Sequence, residues 1–389
     1  MLDDKEGGGM TIPIPEDSIL RHWYNRFDNT EIWPSWRIAV GLGIIGASLE
    51  RNACFSYGES GMIWPNTSVM LIGKSGDGKD TIIKPAEGVL EAAGVSYIPG
   101  TTIEAVKLSL YKVGNPAVGY ICAKELSAFI GGKDYQQGIV ESLTDILSNS
   151  PVVDITVKGD LQNGGKRLIH NPTLTMFAGT TPDWLPEDCL AGGFLGRFVV
   201  AAEFGKKPKE VPNPGDYETY AQRKLVQDSK EAFGKGIMEL RKRFTRTHPR
   251  VFSEDLEAKE YFANWYHNRF TYFSASLESF ANRAGNLMRK VAMLMAVSRG
   301  ESYISKTDYE FASGLLRYSA ERLERGVIPA SKEVAVGYVV LDMLPMGYSD
   351  LLKILSGKYS SLWVKRAVGF LIDSGQAKME QGVVSKKYE

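Results

Sequence analysis

Between Ser68 and Leu90, "SVMLIGKSGDGKDTIIKPAEGVL", a continuous apolar run gives way to a glycine-rich octet and then to apolar positions at helical spacing. That order predicts a buried strand, a loop and a helix. Short apolar runs keep alternating with helical segments to about residue 204, and "VSYIP", "AVGYICA", "TLTMFAG" and "FVVAAEF" are the further strands. This is the rhythm of a mostly parallel α/β sheet. Ahead of it, "DSILRHWYNRF" and "PSWRIAVGLGIIGASLERNA" predict two helices, the second buried, behind a mobile leader that ends near residue 16.

Beyond the sheet region, "GKKPKEVPNPGD" has the composition of a linker, and the pattern that follows is almost wholly helical. It predicts a helical domain packed on the sheet, with its aromatic residues in the core. The end of the chain changes again: "SKEVAVGYVVLDML", "YSDLLKILSGKY" and "SSLWVKRAVGFLIDSG" predict three amphipathic helices, and "QAKMEQGVVSKKYE" a strand, a turn and a strand. That is the order of a winged helix, with the third helix in the recognition position and Ser360 or Ser361 as its cap. The chain thus divides into a leader and helical extension (1–66), a sheet core (67–204), a helical domain (205–330) and a winged-helix-like domain (331–389).

Charge narrows the picture less than pattern does. With 46 basic and 46 acidic residues, a nucleic-acid role has to rest on local patches. Cys54, Cys122 and Cys189 are too scattered for a disulfide framework, and neither they nor the four histidines fall at zinc-ligand spacings. The apolar stretch "IAVGLGIIGASL" is shorter than the roughly 20 residues a membrane span needs, and the N-terminus has no signal pattern. A reducing, cytoplasmic setting is expected.

The glycine-rich octet carries the chemistry. Gly73, Gly78 and Lys79 fit G-x-x-x-x-G-K in register, with Gly76 between them, after a strand and before a helix. This context lets backbone N–H groups cradle a β-phosphate while the lysine meets the β/γ oxygens. ATP with Mg²⁺ is the expected ligand. Asp80 stands where Ser or Thr usually follows the lysine, so the Mg²⁺ ligand is either Asp80 or the hydroxyl of Thr81. An acid is needed at the end of a neighbouring strand, and "AVGYICAKELSAF" supplies Glu125 as the base that polarises water. The usual acidic pair has become Lys124-Glu125, which suggests that the carboxylate lost there is regained at Asp80. After "TLTMFAG", Thr180 and Thr181 either sense the γ-phosphate from a position between loop and acid or belong to a capped turn, "TTPDW", that opens a helix. "GGFLGRFVVAAEF" sets Arg197 just before the final strand of the core.

Together, "GKSGDGKD", "KELSAF", "AGTTPDWLPE" and "GGFLGRF" resemble the P-loop ATPase domain of phage and mobile-element replication proteins, helicase-like ATPases related to the AAA+ and superfamily-three helicases. The resemblance covers about residues 35 to 300. It implies an AAA+-like sheet with a helical lid, assembly into a homo-oligomeric ring, in keeping with a hexamer, and ATP-driven movement on single-stranded or forked DNA beside other replication proteins. It further implies that Lys79 binds phosphate, Glu125 activates water, Thr180 senses, Arg197 reaches the nucleotide of a neighbouring subunit, and Arg283 or Arg289 contacts the nucleotide in cis.

Two regions are candidates for DNA. "VVDITVKGDLQNGGKRLIHNPTL" reads as a hairpin, and in the resembling helicases such a hairpin enters the ring pore, where Lys158, Lys166 and Arg167 would grip phosphates; otherwise it is a solvent-exposed hairpin. In the terminal domain Lys358, Trp363, Lys365, Arg366, Lys386 and Lys387 surround the recognition helix, for contact with DNA phosphates or with protein. The leading expectation is an ATP-driven DNA motor, a ring helicase. The alternative is a non-translocating ATP switch, a loader or DNA-bound adaptor, which the altered acidic motif would suit.

Overall fold

Apolar runs without alternation need cover on both faces, and the chain supplies it by stacking helices on a parallel sheet. The computed structural model describes residues 12–387 except 57, 59–60, 101, 131–135, 157–165, 183–184, 186–192, 205–206, 208–210, 212–218, 245–248, 275–276, 328–331, 357–358, 360 and 374, and excludes the side chains of 136–138, 156, 166, 332–335 and 373. Most of the leader, most of "GKKPKEVPNPGD", Lys158, Lys358 and Ser360 therefore lie outside the described residues.

In chain order the first strands are β1 (Ala53–Ser56), β2 (Met62–Ile63), β3 (Ser68–Ile72), β4 (Val118–Ala123), β5 (Val152–Thr156), β6 (Lys166–His170), β7 (Thr173–Thr180) and β8 (Phe198–Ala202). The central sheet runs β4-β7-β3-β8, every pair parallel. Each residue of β3, β7 and β8 is buried, as their unbroken apolar sequences require. The chain is an α/β protein. "VSYIP" does not become a strand: it makes a single parallel bridge, Tyr97 to Tyr120, and Pro99, with no N–H to donate, ends the pairing. β5 and β6 form the expected antiparallel hairpin.

The helix Pro34–Leu49 is buried along its length after Pro34 and braces the central sheet. The indole N–H of Trp36 donates to the Ala201 carbonyl at 3.0 Å, and Ser35 and Tyr318 both bond the buried carboxylate of Glu203 that follows β8. The linker-like segment is anchored at two described points, where the Lys207 ammonium and the Val211 N–H both reach Glu31.

The region after 205 is not wholly helical. It also contains β9 (Arg250–Glu254) and β10 (Tyr303–Ile304), which join a second sheet in the order β10-β9-β1-β2. β9 pairs with β1 across some two hundred positions of sequence, a pairing that no local pattern announces. The long helices Tyr220–Arg243, Leu256–Asn268, Glu278–Ser298 and Lys306–Gly326 do form, the first opening on a reciprocal Thr219/Gln222 capping box.

The chain separates into two compact units, Met1–Ala320 and Glu321–Glu389. In the second, the helices Lys332–Asp342, Tyr348–Leu355 and Ser361–Asp373 enclose a core that includes Val340, Leu351, Val364 and Leu371. Beside them β11 (Met346–Gly347), β12 (Ala377–Glu380) and β13 (Val383–Lys386) pair in the order β11-β13-β12. Gln381 and Gly382, at φ 51° and 76°, make the two-residue turn between β12 and β13. No helix among the described residues is long and apolar enough to cross a membrane.

Candidate functional site

β3 ends at Ile72, and the Gly73 N–H donates to the Thr180 carbonyl at 3.2 Å, tying the start of the loop to the end of β7. Gly76 and Gly78 hold φ of 85° and 90°, left-handed values that disfavour any side chain, and Gly78 is the N-cap of the helix Lys79–Ala92. No side chain caps that helix, so its first-turn N–H groups and positive dipole end stay available to an anion. They border a cavity of about 450 Å³, to which Lys79, Asp80, Lys124, Glu125 and Thr180 also contribute. The volume falls within the range of about 300 to 1,000 Å³ typical of small-molecule sites.

The Lys79 ammonium donates to the carbonyls of Gly73 and Lys74, both at 2.8 Å, so it closes over its own loop. Burial lowers its pKa from the ordinary lysine value, against the opposing pull of Asp77, Asp80 and Glu125. Asp80 lines the cavity, whereas the Thr81 hydroxyl lies near Gly78. Glu125 opens the short helix Leu126–Ile130 immediately after β4, and Thr180 ends β7, which stands between β3 and β4. Thr180 and Glu125 therefore face the loop from successive strands, with Thr181 beside them in the cavity wall.

Lys124 also lines the cavity, yet its ammonium pairs with Glu87 on the helix after the loop, at 3.0 Å. The hydrogen bond to Glu87 raises the Lys124 pKa, so the side chain stays cationic. Among the described residues no cluster of three or more His, Cys, Asp or Glu side chains is arranged to hold a metal. Mg²⁺ with a nucleotide needs only one or two carboxylates besides phosphate oxygens and water, and Asp80 and Glu125 on one cavity fit that requirement.

Arg197 does not join this cavity. It precedes β8, whose five residues run parallel to β3, so at about 3.3 Å per residue it sits roughly 16 Å from the loop end of the sheet. There Arg197 donates to the Thr144 carbonyl, the Ser148 hydroxyl and the Gly193 carbonyl. Arg283 and Arg289 do not line the Lys79 cavity either, contrary to the expected contact in cis. Arg283 borders a second cavity with Arg197. The Arg289 guanidinium lies over the rings of Phe55 and Phe262 and pairs with Glu254 at 3.6 Å.

Of the DNA candidates, Lys166 begins β6, and Arg167 stacks over the Tyr111 ring at 5.3 Å. Lys365 and Arg366 are exposed on the helix Ser361–Asp373, where Arg366 also lies over Trp363 and Trp363 packs against the core of that unit.

Two residues of the cavity escape a motif reading. Ser127 lines it without any preceding signal. Gly179 also lines it, and a Cβ there would collide with the Lys124 carbonyl oxygen; a lone glycine inside an apolar strand is the sequence mark of such a close approach. No protein-family model matches the chain, and no curated protein matches it.

Proposed function

We propose that the chain is an ATP-hydrolysing motor that assembles as a ring and acts on DNA as a helicase in phage or mobile-element replication. The observation that carries this reading is the convergence of an uncapped glycine-loop helix terminus, Lys79 and Glu125 on one cavity of nucleotide size. The loop N–H groups and Lys79 hold the β- and γ-phosphates, and Thr180 reads the γ-phosphate from the strand between loop and acid. Glu125 accepts the proton of the attacking water. Asp80 would hold Mg²⁺ together with phosphate oxygens, and the ion would supply positive charge against that developing on the phosphates. Arg197, out of reach of the cavity in its own chain, serves the nucleotide of a neighbouring copy. The unit Glu321–Glu389, with three helices and a turn-linked strand pair, supports a winged-helix assignment, with Lys365 and Arg366 on DNA phosphates.

One observation favours a second reading, a non-translocating ATP switch. The position before Glu125 carries a cation paired to Glu87 instead of a second acid, which suits slow hydrolysis. ATP turnover with and without single-stranded DNA, across protein concentrations that span assembly, separates the two. A motor gives DNA-stimulated, concentration-dependent turnover that Lys79→Ala, Glu125→Gln and Arg197→Ala each abolish. ATP binding that depends on Lys79 without turnover selects the switch, and no Lys79-dependent binding rejects both.

A further inference from the structure

Gly196 and Arg197, just before β8, and the helix Glu278–Ser298 meet around a second cavity, of about 150 Å³, that shares no described lining residue with the first. Among the described residues three cations face it, Arg197, Arg283 and Lys290, together with the polar side chains of Ser148, Asn149 and Asn286, and no described acid lines it. Asp145 acts on Arg197 electrostatically but is not part of the wall.

The cations are held in place by their surroundings. Gly193 and Gly196 leave the space that Arg283 occupies: a Cβ on Gly196 would stand 2.8 Å from the Arg283 Cδ, and one on Gly193 2.6 Å from its Nε. Arg197 is fixed by three acceptors, two on its Nε and one on its Nη1. The Lys290 ammonium donates to the Asn66 carbonyl at 2.8 Å and to its side-chain oxygen at 3.2 Å, and Asn149 donates to the same side-chain oxygen. Like charges gathered in a partly desolvated space raise the free energy of the fold unless an anion answers them.

We propose that this cavity is a second anion site, which takes one phosphate-class oxyanion between Arg197, Arg283 and Lys290. Size limits the ligand. With a water occupying about 30 Å³ of liquid, 150 Å³ admits a tetrahedral oxyanion and a few waters, and it falls short of the roughly 300 Å³ at which sites for whole small molecules begin. The electrostatics agree: burial, and after it Arg283, push the Arg197 guanidinium down to about 10 against the opposing pull of Asp145, and burial together with Arg197 holds the Lys290 ammonium near 7. A bound oxyanion would relieve both shifts.

The oxyanion comes either from free phosphate or from the terminal phosphate of a nucleotide held by a second copy; only the second source rests on the proposed function. The deciding measurement is calorimetric titration of inorganic phosphate into the full chain, at constant ionic strength set with chloride and at a protein concentration below assembly. The expected result is one site per chain, retained in Lys79→Ala and weakened about tenfold or more in Arg283→Gln and in Lys290→Gln, each losing a charge-assisted contact. Circular dichroism of each variant without phosphate checks that it folds, and Arg283→Lys, which keeps the charge, should recover part of the affinity.

Phosphate binding that vanishes in Lys79→Ala would locate the anion at the glycine loop and overturn the proposal, as would wild-type affinity in both cavity variants. A short single-stranded oligonucleotide that binds these residues where free phosphate does not would also overturn it. In a Glu125→Gln background with ATP, affinity that rises with protein concentration and requires Arg283 identifies the second copy as the source. Loss of ATP binding in Lys79→Ala bears on the proposed function alone, so the two readings fail separately.

Discussion

Gly179 and Gly76 are both glycines of the first cavity, but for different reasons. At Gly179 the obstacle is the Lys124 backbone carbonyl, which cannot rotate aside. Gly179→Ala should therefore cost about 1–3 kcal/mol by overpacking and spread β7 from the turn after β4; an unchanged urea midpoint would show that the strands part freely. At Gly76 nothing lies within 4 Å of an added Cβ, and the constraint is the left-handed φ of 85° alone. The constraint at Gly76 is local to its own backbone, whereas the partner that imposes it at Gly179 belongs to another strand.

Among the helices, the junction between Glu278–Ser298 and Lys306–Gly326 is held by charge. Arg299 caps the first, and its guanidinium reaches Asp308 in the first turn of the second, at 2.7 Å. The Asp308 side chain is only 2% exposed and also accepts from the Ser305 N–H and hydroxyl. Burial raises the Asp308 pKa despite these partners. Arg299→Ala strands that carboxylate and should cost about 3 kcal/mol or more in chemical unfolding; a loss below about 1 kcal/mol would place the pair with exposed salt bridges. The helices themselves were legible from apolar spacing. β9, five residues long, was not, because its stabilising partner β1 is remote in sequence.

At the scale of the whole molecule, Lys290 couples the fold to pH. Its native pKa of about 7 lies below the roughly 10.4 of a lysine in an unfolded chain. Between those values the unfolded state binds more protons, so stability should rise as pH increases from about 7 towards 10 through this residue. Arg197, Arg283 and Asn66 face the ammonium. Lys290→Met should flatten that part of the stability profile, measured by urea unfolding across the pH range, and an identical slope in the variant would mean that Lys290 is not the group responsible. Saturating phosphate should flatten it as well, since a bound anion raises the lysine pKa.

Local pattern was enough to locate the loop, the helix it opens, the strand that delivers Glu125 and the helices and turn-linked strand pair of the second unit, because apolar spacing and turn residues act within a few residues of chain. Sheet order was beyond its reach. Once β7 lies between β3 and β4, Thr180 and Glu125 face Lys79; once β8 runs parallel on the other side of β3, Arg197 is carried to the far end. The pairing of Lys124 with Glu87 and the gathering of Arg197, Arg283 and Lys290 likewise arise only on packing. These contacts join residues tens to hundreds of positions apart, and it is burial of the whole core, not any local preference, that selects them.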